Sequence, residues 1–382
     1  MRRRLTNPNG TRAIPVAWRD SFASKKTKAQ PSHIRESNVR LILQLIYREG
    51  PISRADLARA TGLTKVTVSD VISSLISENL VIELGLEVQT RPGKPAVLVD
   101  LPRKSLGIVC LDLSGGKTLT GVVLDLDFNE LHRLTVSRDG KRGEEALAQT
   151  MSLLGALISA AEIPLVGITI GSPGVVTDDG VVKASMSLGW TDLPLKAIVE
   201  AETGLPATVE NDANAATIAE SSMDAEGEDL LFVSIWSGIG AGLLLSGQLL
   251  KGKTYASGEI GRLTVGPGDT TLEKWISFPE LQKRLANSDD ENETLTNAGE
   301  KLASALAPIV AMLNLNVVVL SGPPNITEGP FIESTASSLK AQMMNFSTAS
   351  LRVIPSQHGE DVVLIGCAWL ALGQFLENHN NK

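Results

Sequence analysis

The sequence contains little cysteine and histidine, and this scarcity removes several kinds of site. Only two of the 382 residues are cysteine, Cys110 and Cys367, and each lies within an apolar run. Buried thiols in a reducing cytoplasm explain these residues better than a disulfide or a metal pair does. The four histidines show no spacing typical of metal ligands. We therefore expect neither a metal site nor a bound cofactor.

Long apolar runs are also missing. No stretch approaches the roughly 20 apolar residues that a membrane-spanning helix needs, and the N-terminal "MRRRLTNPNGTRAIPVAWRD" lacks the apolar core of a signal peptide. With 43% hydrophobic and 20% charged residues, the composition is typical of a soluble globular chain of two or three domains. We expect a cytoplasmic protein that has no membrane partner.

The charges are distributed unevenly along the chain. Residues 1–104 hold 18 Lys and Arg against 9 Asp and Glu, whereas residues 105–382 hold 17 against 34, and the whole chain carries −8. A basic front end can bind nucleic-acid phosphates, from which the acidic remainder would be repelled. Residues 1–30 are polar and basic without any hydrophobic period, which predicts a disordered basic tail.

Residues 31–81 have the pattern of three short helices. Apolar residues recur at helical spacing over residues 35–46. Ser53 is placed to cap the second helix and Thr64 the third, with Gly62 supplying the turn between them. This pattern is typical of a helix-turn-helix, whose third helix enters the DNA major groove.

The third helix and the segment after it supply the residues expected to contact DNA. The segment "EVQTRPGKPAVLVDLP" alternates apolar residues around a basic turn, which predicts a wing that lies along or in the minor groove. Asp70 is less expected near DNA, since its carboxylate needs a partner such as a cytosine amino group. The expected contact residues are Thr64, Lys65, Thr67, Ser69, Asp70, Arg91 and Lys94. The alternative is a small helical domain that binds a protein or nothing, but spacing, caps, wing and charge together favour DNA.

In the body of the chain, polar residues follow predicted strands. "LGIVCLDLSGGKTLTGVVLDL" reads as two strands around a glycine turn, with Asp112 ending the first. "LVGITIGSPGVV" is a buried strand that ends in a Gly and Pro loop, and in "ATVENDANAATIAE" a strand ends at Asn211 and Asp212 before a helix. Carboxylates and amides at strand ends indicate an α/β protein whose ligand groups gather at one edge of its sheets.

These motifs resemble those of the ROK family (repressor, open reading frame, kinase) from about residue 31 to 382. The resemblance implies a winged helix followed by a two-lobed, actin-like sugar-kinase body with the ribonuclease H-like fold, as in the repressor branch. "ENDANAA" matches the family's sugar-site motif, "SGEIG" and "TTLEKW" match its sugar-binding carboxylates, and "GSPGVV" matches a loop of the same cleft. The implied ligand-binding residues are Gly171, Gly174, Asn211, Asp212, Glu259, Arg262 and Glu273. In kinase members the residue at the place of Asp212 is the general base, so Asp212 is a vestigial candidate.

The chain departs from the family pattern after "GEIG". Members usually continue with histidine and a cysteine cluster that binds structural zinc, whereas this chain has Arg262 and then "TVGPGDTTLE". Without the cysteines we expect no zinc. Arg262 either favours a phosphorylated or acidic ligand, or pairs with Glu259 or Glu273 and replaces zinc as the local clamp.

Both expected nucleotide loops have also changed. "DLSGGKT" carries Ser114 and Gly116 where the kinases have glycine and threonine, and "SGPPN" places two prolines in the second loop. Proline has no amide hydrogen to offer a phosphate, and phosphoryl transfer depends on positioning around the phosphates. The sequence therefore argues against an enzyme.

We expect a sugar-responsive transcriptional repressor in which a sugar or sugar phosphate changes how paired winged helices sit on operator DNA. Such helices read two half-sites, so a homodimer or a dimer of dimers is expected. The expected domains are a basic tail (1–30), a winged helix-turn-helix (31–104), called the reader below, and a two-lobed body (105–382). The alternatives are an ATP-dependent sugar kinase with an added DNA-binding domain, and a dimerisation scaffold whose pocket is dead.

Overall fold

A computed structural model describes residues 31–86, 96–222, 229–266, 270–343 and 350–377. The predicted basic tail and the predicted turn of the wing, with Arg91 and Lys94, lie outside these described residues. Within them the chain forms the reader, two lobes and a closing helix.

The reader has the predicted helix-turn-helix order. Its elements are α1 (Pro31–Glu49), β1 (Ile52–Ser53), α2 (Arg54–Thr61), α3 (Lys65–Ser77), β2 (Ile82–Leu86) and β3 (Val97–Asp100). The predicted caps are confirmed, because Ser53 Oγ accepts the Asp56 amide and Thr64 Oγ1 accepts the Thr67 amide, both at 3.1 Å. Gly62 has a φ of 70°, the left-handed conformation that glycine adopts without strain. Strand β3 pairs antiparallel with both β1 and β2, which forms the sheet of the wing.

The first lobe follows at residue 107. Its elements are β4 (Gly107–Asp112), β5 (Thr118–Asp125), β6 (Glu130–Ser137), α4 (Glu144–Ala160), β7 (Leu165–Ser172), β8 (Val175–Val176), β9 (Val182–Ser185), β10 (Trp190–Leu193), α5 (Leu195–Thr203), β11 (Ala207–Asn211) and α6 (Asp212–Ser221). The main sheet has the order β11-β7-β4-β5-β6. Strands β4, β5 and β6 are antiparallel, whereas β4, β7 and β11 are parallel.

The second lobe repeats this topology. Its elements are β12 (Leu230–Ile235), β13 (Ile239–Leu245), β14 (Gln248–Leu249), a 3₁₀ turn (Ile260–Arg262), β15 (Thr264–Gly266), β16 (Thr270–Thr271), α7 (Leu272–Ile276), α8 (Phe278–Ala286), α9 (Glu291–Leu313), β17 (Val317–Ser321), α10 (Pro324–Thr327), α11 (Pro330–Ala341) and β18 (Arg352–Pro355). The sheet order β14-β13-β12-β17-β18 matches that of the first lobe. The duplicated pattern of three antiparallel and two further parallel strands confirms the two-lobed fold.

The closing helix α12 (Val362–Glu377) corrects the expectation that no stretch is long and apolar enough to span a membrane. With the 3₁₀ turn before it, Gly359–Glu377 is 19 residues long with a mean hydropathy of 1.4, and it alone among the described residues passes that test of length and composition. In the most apolar stretch of this segment, 61% is buried inside the protein. Its apolar composition is explained by this position in the core, which the sequence pattern alone did not reveal.

Helix α6 joins the two lobes through contacts that only small residues permit. A Cβ placed on Gly366 of α12 would lie 1.8 Å from the carbonyl oxygen of Ala215, and one on Gly242 of β13 would lie 2.0 Å from Thr217 Oγ1. The sequence of α6, "DANAATIAES", is accordingly rich in alanine, and all its residues after the first are buried. The helix is therefore held against both α12 and β13.

The reader and the body share one continuous apolar core. Tyr47 of α1 and Phe128 of the first lobe both make edge-to-face contacts with Trp369 of α12, with ring centroids 6.3 and 4.9 Å away. Arg103, in the connection between β3 and β4, is buried and donates to Asp100 and to two carbonyl oxygens in the last turn of α1. These contacts fix the reader on the body beside α12.

Two helical glycines allow a matched test of the packing around α6. Gly366→Ala would force its methyl group into the Ala215 carbonyl, so we expect a loss of about 1–3 kcal/mol or more in the free energy of unfolding. Gly155→Ala in α4 is the control, because no atom lies within 4 Å of its added Cβ. This control should gain about 0.5–1 kcal/mol from helix propensity. Urea unfolding measures both, and a stable Gly366→Ala variant would contradict the described packing.

Candidate functional site

The parallel strands of the first lobe bring the predicted polar residues to one edge of the sheet. In the β-sheet register Asp112 stands beside Gly171, and Asn211 stands beside Ser172. The carboxyl ends of β4, β7 and β11 therefore meet, as the sequence predicts. The loop after β7 turns at Gly174, whose φ of 97° and close approach to the Ala184 carbonyl exclude a side chain.

Asn211 holds this edge together as the N-cap of α6. Its Oδ1 accepts the amide of Asn214 at 3.0 Å, while Nδ2 donates to the Gly174 carbonyl at 2.8 Å and to Asp212 Oδ1 at 3.0 Å. Both amide hydrogens are thus used within the protein, and a ligand is left only the second lone pair of Oδ1. The main effect of Asn211 in this arrangement is to orient Asp212 and the loop.

Asp212, the first residue of α6, has a strongly raised pKa. Burial raises its pKa to about 7, and the nearby carboxylates of Asp112 and Glu259 act in the same direction. Burial also raises the pKa of Asp112, which accepts hydrogen bonds from the amide and the hydroxyl of Ser114 at 2.8 and 2.6 Å. Near neutral pH, Asp212 can therefore either donate to or accept from a ligand hydroxyl group.

The second lobe contributes Glu259 and Glu273. Burial raises the pKa of Glu259, Arg262 lowers it and Glu273 raises it. Glu273 Oε2 accepts the amide of Ile239 at 3.3 Å and lies 3.1 Å from the points where Gly238 and Gly261 would carry a Cβ. The carboxylates of Asp112, Asp212, Glu259 and Glu273 form one electrostatic group, which we call the carboxylate cleft.

Arg262 does not form the expected ion pair with the carboxylates of the cleft. Among the described residues it forms no ion pair with Glu259 or Glu273, so the expectation of a clamp that replaces zinc is wrong. Its exposed guanidinium reaches the first lobe instead, where Nη2 lies 2.6 Å from Met186 Sδ in the β9–β10 loop. Arg262 is therefore a residue of the rim, where the two lobes touch.

Gly171 has a packing role that the sequence did not indicate. A Cβ at this position would lie 2.4 Å from Val363 Cγ1 and 3.3 Å from Cys367 Sγ, both on α12. The end of β7 is consequently pressed against the start of the closing helix. Cys367 and Cys110 are both buried and free, in line with the sequence expectation.

A lysine that sequence reasoning missed bridges the lobes. Lys251, in the loop after β14, donates to Glu210 Oε2 at 2.7 Å and to Asp178 Oδ1 at 2.8 Å, both in the first lobe. Glu210 Oε1 in turn accepts from Asn214 at the start of α6. Glu210 belongs to the motif "ENDAN", but no local signal in the sequence connects it with a lysine 41 residues away.

In the reader, α3 places the predicted DNA contacts on different sides of the helix. Its buried stripe consists of Val68, Val71, Ile72 and Leu75. The opposite, exposed face carries Val66, Asp70, Ser73 and Ser77. Lys65, Thr67 and Ser69 flank this face, and the hydroxyl groups of Thr64 and Thr67 lie 2.9 Å apart within the helix cap. Sequence reasoning therefore missed Val66, the apolar residue at the centre of the outward face.

No metal site accompanies these groups. Among the residues that the structure describes, no cluster of three or more His, Cys, Asp or Glu side chains could hold an ion. Carboxyl groups of this kind can accept hydrogen bonds from hydroxyl groups.

Comparisons with known proteins match two separate parts of the chain. Residues 108–273 match the family model described as ROK family, and residues 35–82 match the model described as winged helix-turn-helix DNA-binding. The chain is 25% identical to the xylose repressor of Bacillus subtilis over 380 residues, which cover 91% of this chain and 98% of that protein.

Solved structures show the same fold. A ROK family transcriptional regulator, a homologue of the Escherichia coli MLC protein, has a TM-score of 0.78 at 21% identity and covers 90% of this chain and 98% of its own. A ROK family glucokinase from Streptomyces griseus, solved with glucose and AMPPNP, has a TM-score of 0.59 at 20% identity and covers 70% of this chain and 99% of its own. The regulator thus matches more of this chain than the kinase does.

The raised pKa of Asp212 gives a testable dependence of stability on pH. A carboxyl group whose pKa is raised from 3.8 to about 7 contributes stability that is fully present below pH 3.8 and lost as the pH rises through about 7. Asp212→Asn, which cannot ionise, should therefore melt at a higher temperature than the wild type at pH 8. We expect this difference to shrink toward pH 5, as measured by thermal unfolding monitored by circular dichroism.

The control for that measurement is Asp289→Asn, which changes an exposed carboxylate in a loop of the second lobe. This variant should not reproduce the gain in melting temperature that we expect for Asp212→Asn at pH 8. If Asp212→Asn behaved like this control, the carboxylate cleft would not penalise charge at position 212.

Proposed function

The chain carries a ROK-family domain behind an N-terminal winged helix-turn-helix, and from this combination we propose a sugar-responsive repressor that leaves its operator when a neutral sugar binds in the carboxylate cleft. The observation that carries the proposal is the position of α12. Val363, at its start, packs on β7 at the cleft, while Trp369, two turns on, packs on Tyr47 of the reader. A ligand that shifts one lobe against α12 thereby has a physical route to the reader.

The chemistry of the cleft favours an unphosphorylated sugar. Carboxyl groups accept hydrogen bonds from sugar hydroxyls, and four of them within electrostatic range of one another would repel a phosphate. The ligand contacts we propose are Asp212, Glu259 and Glu273, with Asn211 and Gly174 shaping the loop beside them and Gly171 supporting it. The resemblance to a xylose repressor makes xylose the first sugar to test.

A sugar phosphate remains the second class of effector to test. Its natural partner at the cleft is Arg262, whose guanidinium lies at the rim against Met186. The experiment below therefore includes phosphorylated sugars beside the neutral ones.

The reader and the basic front end supply the DNA contacts in this proposal. We propose that Lys65, with Thr64, Thr67 and Ser69 around the start of α3, binds phosphates beside the major groove. We also propose that Arg91 and Lys94 of the wing contact the minor groove and that two copies of the chain bind two half-sites. Such a regulator acts in the cytoplasm.

The alternative of a sugar kinase rests on one specific observation. A carboxyl group with a pKa near 7 at the start of α6 suits a general base that takes a proton from a sugar hydroxyl. Two features oppose it: Ser114 occupies an oxygen of Asp112, and Pro323 and Pro324 remove two amide donors at the start of α10. Since phosphoryl transfer needs those donors around the phosphates, we favour the regulator.

Glu259→Gln tests the proposed function. The substitution keeps the shape of the side chain but removes its charge, which lowers the worth of a hydrogen bond from a sugar from about 1.5–3 to about 0.5–1.5 kcal/mol. We expect a rise of about fivefold to tenfold in the sugar concentration that half-releases the operator, with unchanged DNA affinity in the absence of sugar. Fluorescence anisotropy of a labelled DNA fragment, selected from random sequences by the full chain, measures both quantities over neutral and phosphorylated sugars.

Glu300→Gln, on an exposed face of α9, is the matched control and should release DNA as the wild type does. Equal sugar sensitivity of the two variants would move the effector site away from the carboxylate cleft. A protein that binds no DNA at all would overturn the proposed function itself.

An ATP-consumption assay with the same sugars distinguishes the kinase. We expect no sugar-dependent turnover above that of an Asp212→Asn variant, because the phosphate loops lack the required donors. Turnover by the wild type that Asp212→Asn abolishes would establish the kinase instead.

A further inference from the structure

The outward face of α3 contains one apolar residue, and folding does not account for it. Val66 is 70% exposed in the first turn of the helix, directly opposite the buried stripe. A β-branched residue lowers helix propensity, and an exposed one recovers nothing by burial. Single exposed apolar residues are common on proteins, but this one lies where a helix-turn-helix approaches base edges most closely.

The same face carries a carboxylate without a partner. Asp70 follows Val66 by four residues, one helical turn, and forms no hydrogen bond or ion pair through its side chain among the described residues. The front end is otherwise basic, with 18 Lys and Arg against 9 Asp and Glu in residues 1–104. A free carboxylate at the centre of a surface that approaches phosphates is unfavourable unless the bound DNA supplies a hydrogen-bond donor.

The major groove offers one partner for each residue. The C5-methyl group of thymine is the apolar group in the groove, and the N4 amino group of cytosine is a donor that aspartate can accept. Guanine presents only the acceptors N7 and O6, which a carboxylate cannot use, and adenine places its N6 amino donor beside the N7 acceptor, a pair that suits an amide side chain better than a carboxylate. The pair of side chains therefore fits a thymine and a cytosine.

We propose that Val66 packs on a thymine methyl group and that Asp70 accepts from a cytosine amino group in each half-site. This inference rests on the proposed DNA binding of the reader and adds the bases it reads. Residues four apart on a helix are about 6 Å apart along its axis. The two bases therefore lie within about two steps of each other, since bases rise about 3.4 Å per step.

The thymine contact can be tested atom by atom. The full chain first selects binding sequences from random duplex DNA, and thymines of the selected half-site are then replaced singly by deoxyuridine, which lacks the methyl group. At one position we expect the wild-type affinity to fall about fourfold. This is the change that corresponds to about 0.8 kcal/mol for burying one methyl-sized group. Val66→Ala should bind the thymine and uracil duplexes equally, while Met312→Ala, an exposed apolar control in the second lobe, should behave as the wild type does.

The cytosine contact has its own signature. The wild type should prefer one cytosine by at least about fivefold over the other bases, and Asp70→Asn should prefer adenine there, because asparagine pairs with adenine N6 and N7. The exposed Asp289→Asn serves as the control and should keep the cytosine preference.

The outcomes separate this inference from the proposed function. The full chain could select a DNA sequence while the loss of no thymine methyl group affects the wild type and Val66→Ala differently; the proposed thymine contact would then be wrong, although DNA binding would stand. An unchanged base preference in Asp70→Asn would likewise show that the proposed cytosine contact is wrong. If the chain selects nothing and binds no duplex even at low salt, the proposed function fails and the inference fails with it.

Discussion

The close approach of α6 to its two neighbours is the constraint on which the other features depend. Gly366 admits the backbone of α6 to α12, and Gly242 admits its side chain at Thr217 to β13. Since α6 begins at Asp212, this packing fixes one of the carboxyl groups of the cleft. Because α12 continues to Trp369, the same packing fixes the helix on which the reader rests.

Helix α6 has a buried carboxyl group near each end, and burial disfavours the charged form of both. Burial raises the pKa of Asp212 at its start and of Glu220 in its last turn to about 7 in each case. Glu220 is partly compensated by the hydroxyl of Ser356 at 2.5 Å, which ties α6 to the end of β18. Among the described residues, Asn211 supplies the side-chain hydrogen bond to Asp212. A bound polyol would add donors to this carboxyl group.

Sequence patterns within single strands and helices predicted much of the candidate site. Contacts between residues far apart in the sequence could not be predicted in this way. Asp112 and Asn211 meet because parallel strands end at one edge, a rule that needs no knowledge of packing. The contact of Lys251 with Glu210 joins segments that are unrelated in sequence, so only the folded chain reveals it. The helical period does place Val66 on the outward face, but an apolar side chain in a helix is ordinarily assigned to the core.

The shared core has a consequence for how such a protein diversifies. A reader that ends at residue 104 would leave Tyr47 without Trp369, the ring on which Phe128 also packs, and Arg103 anchors α1 from the connection itself. Recombination that joins the reader to the body of another protein would therefore expose apolar surface on both parts. New operators are more readily acquired by point substitutions on the outward face of α3, which contributes nothing to that core, than by exchange of whole modules.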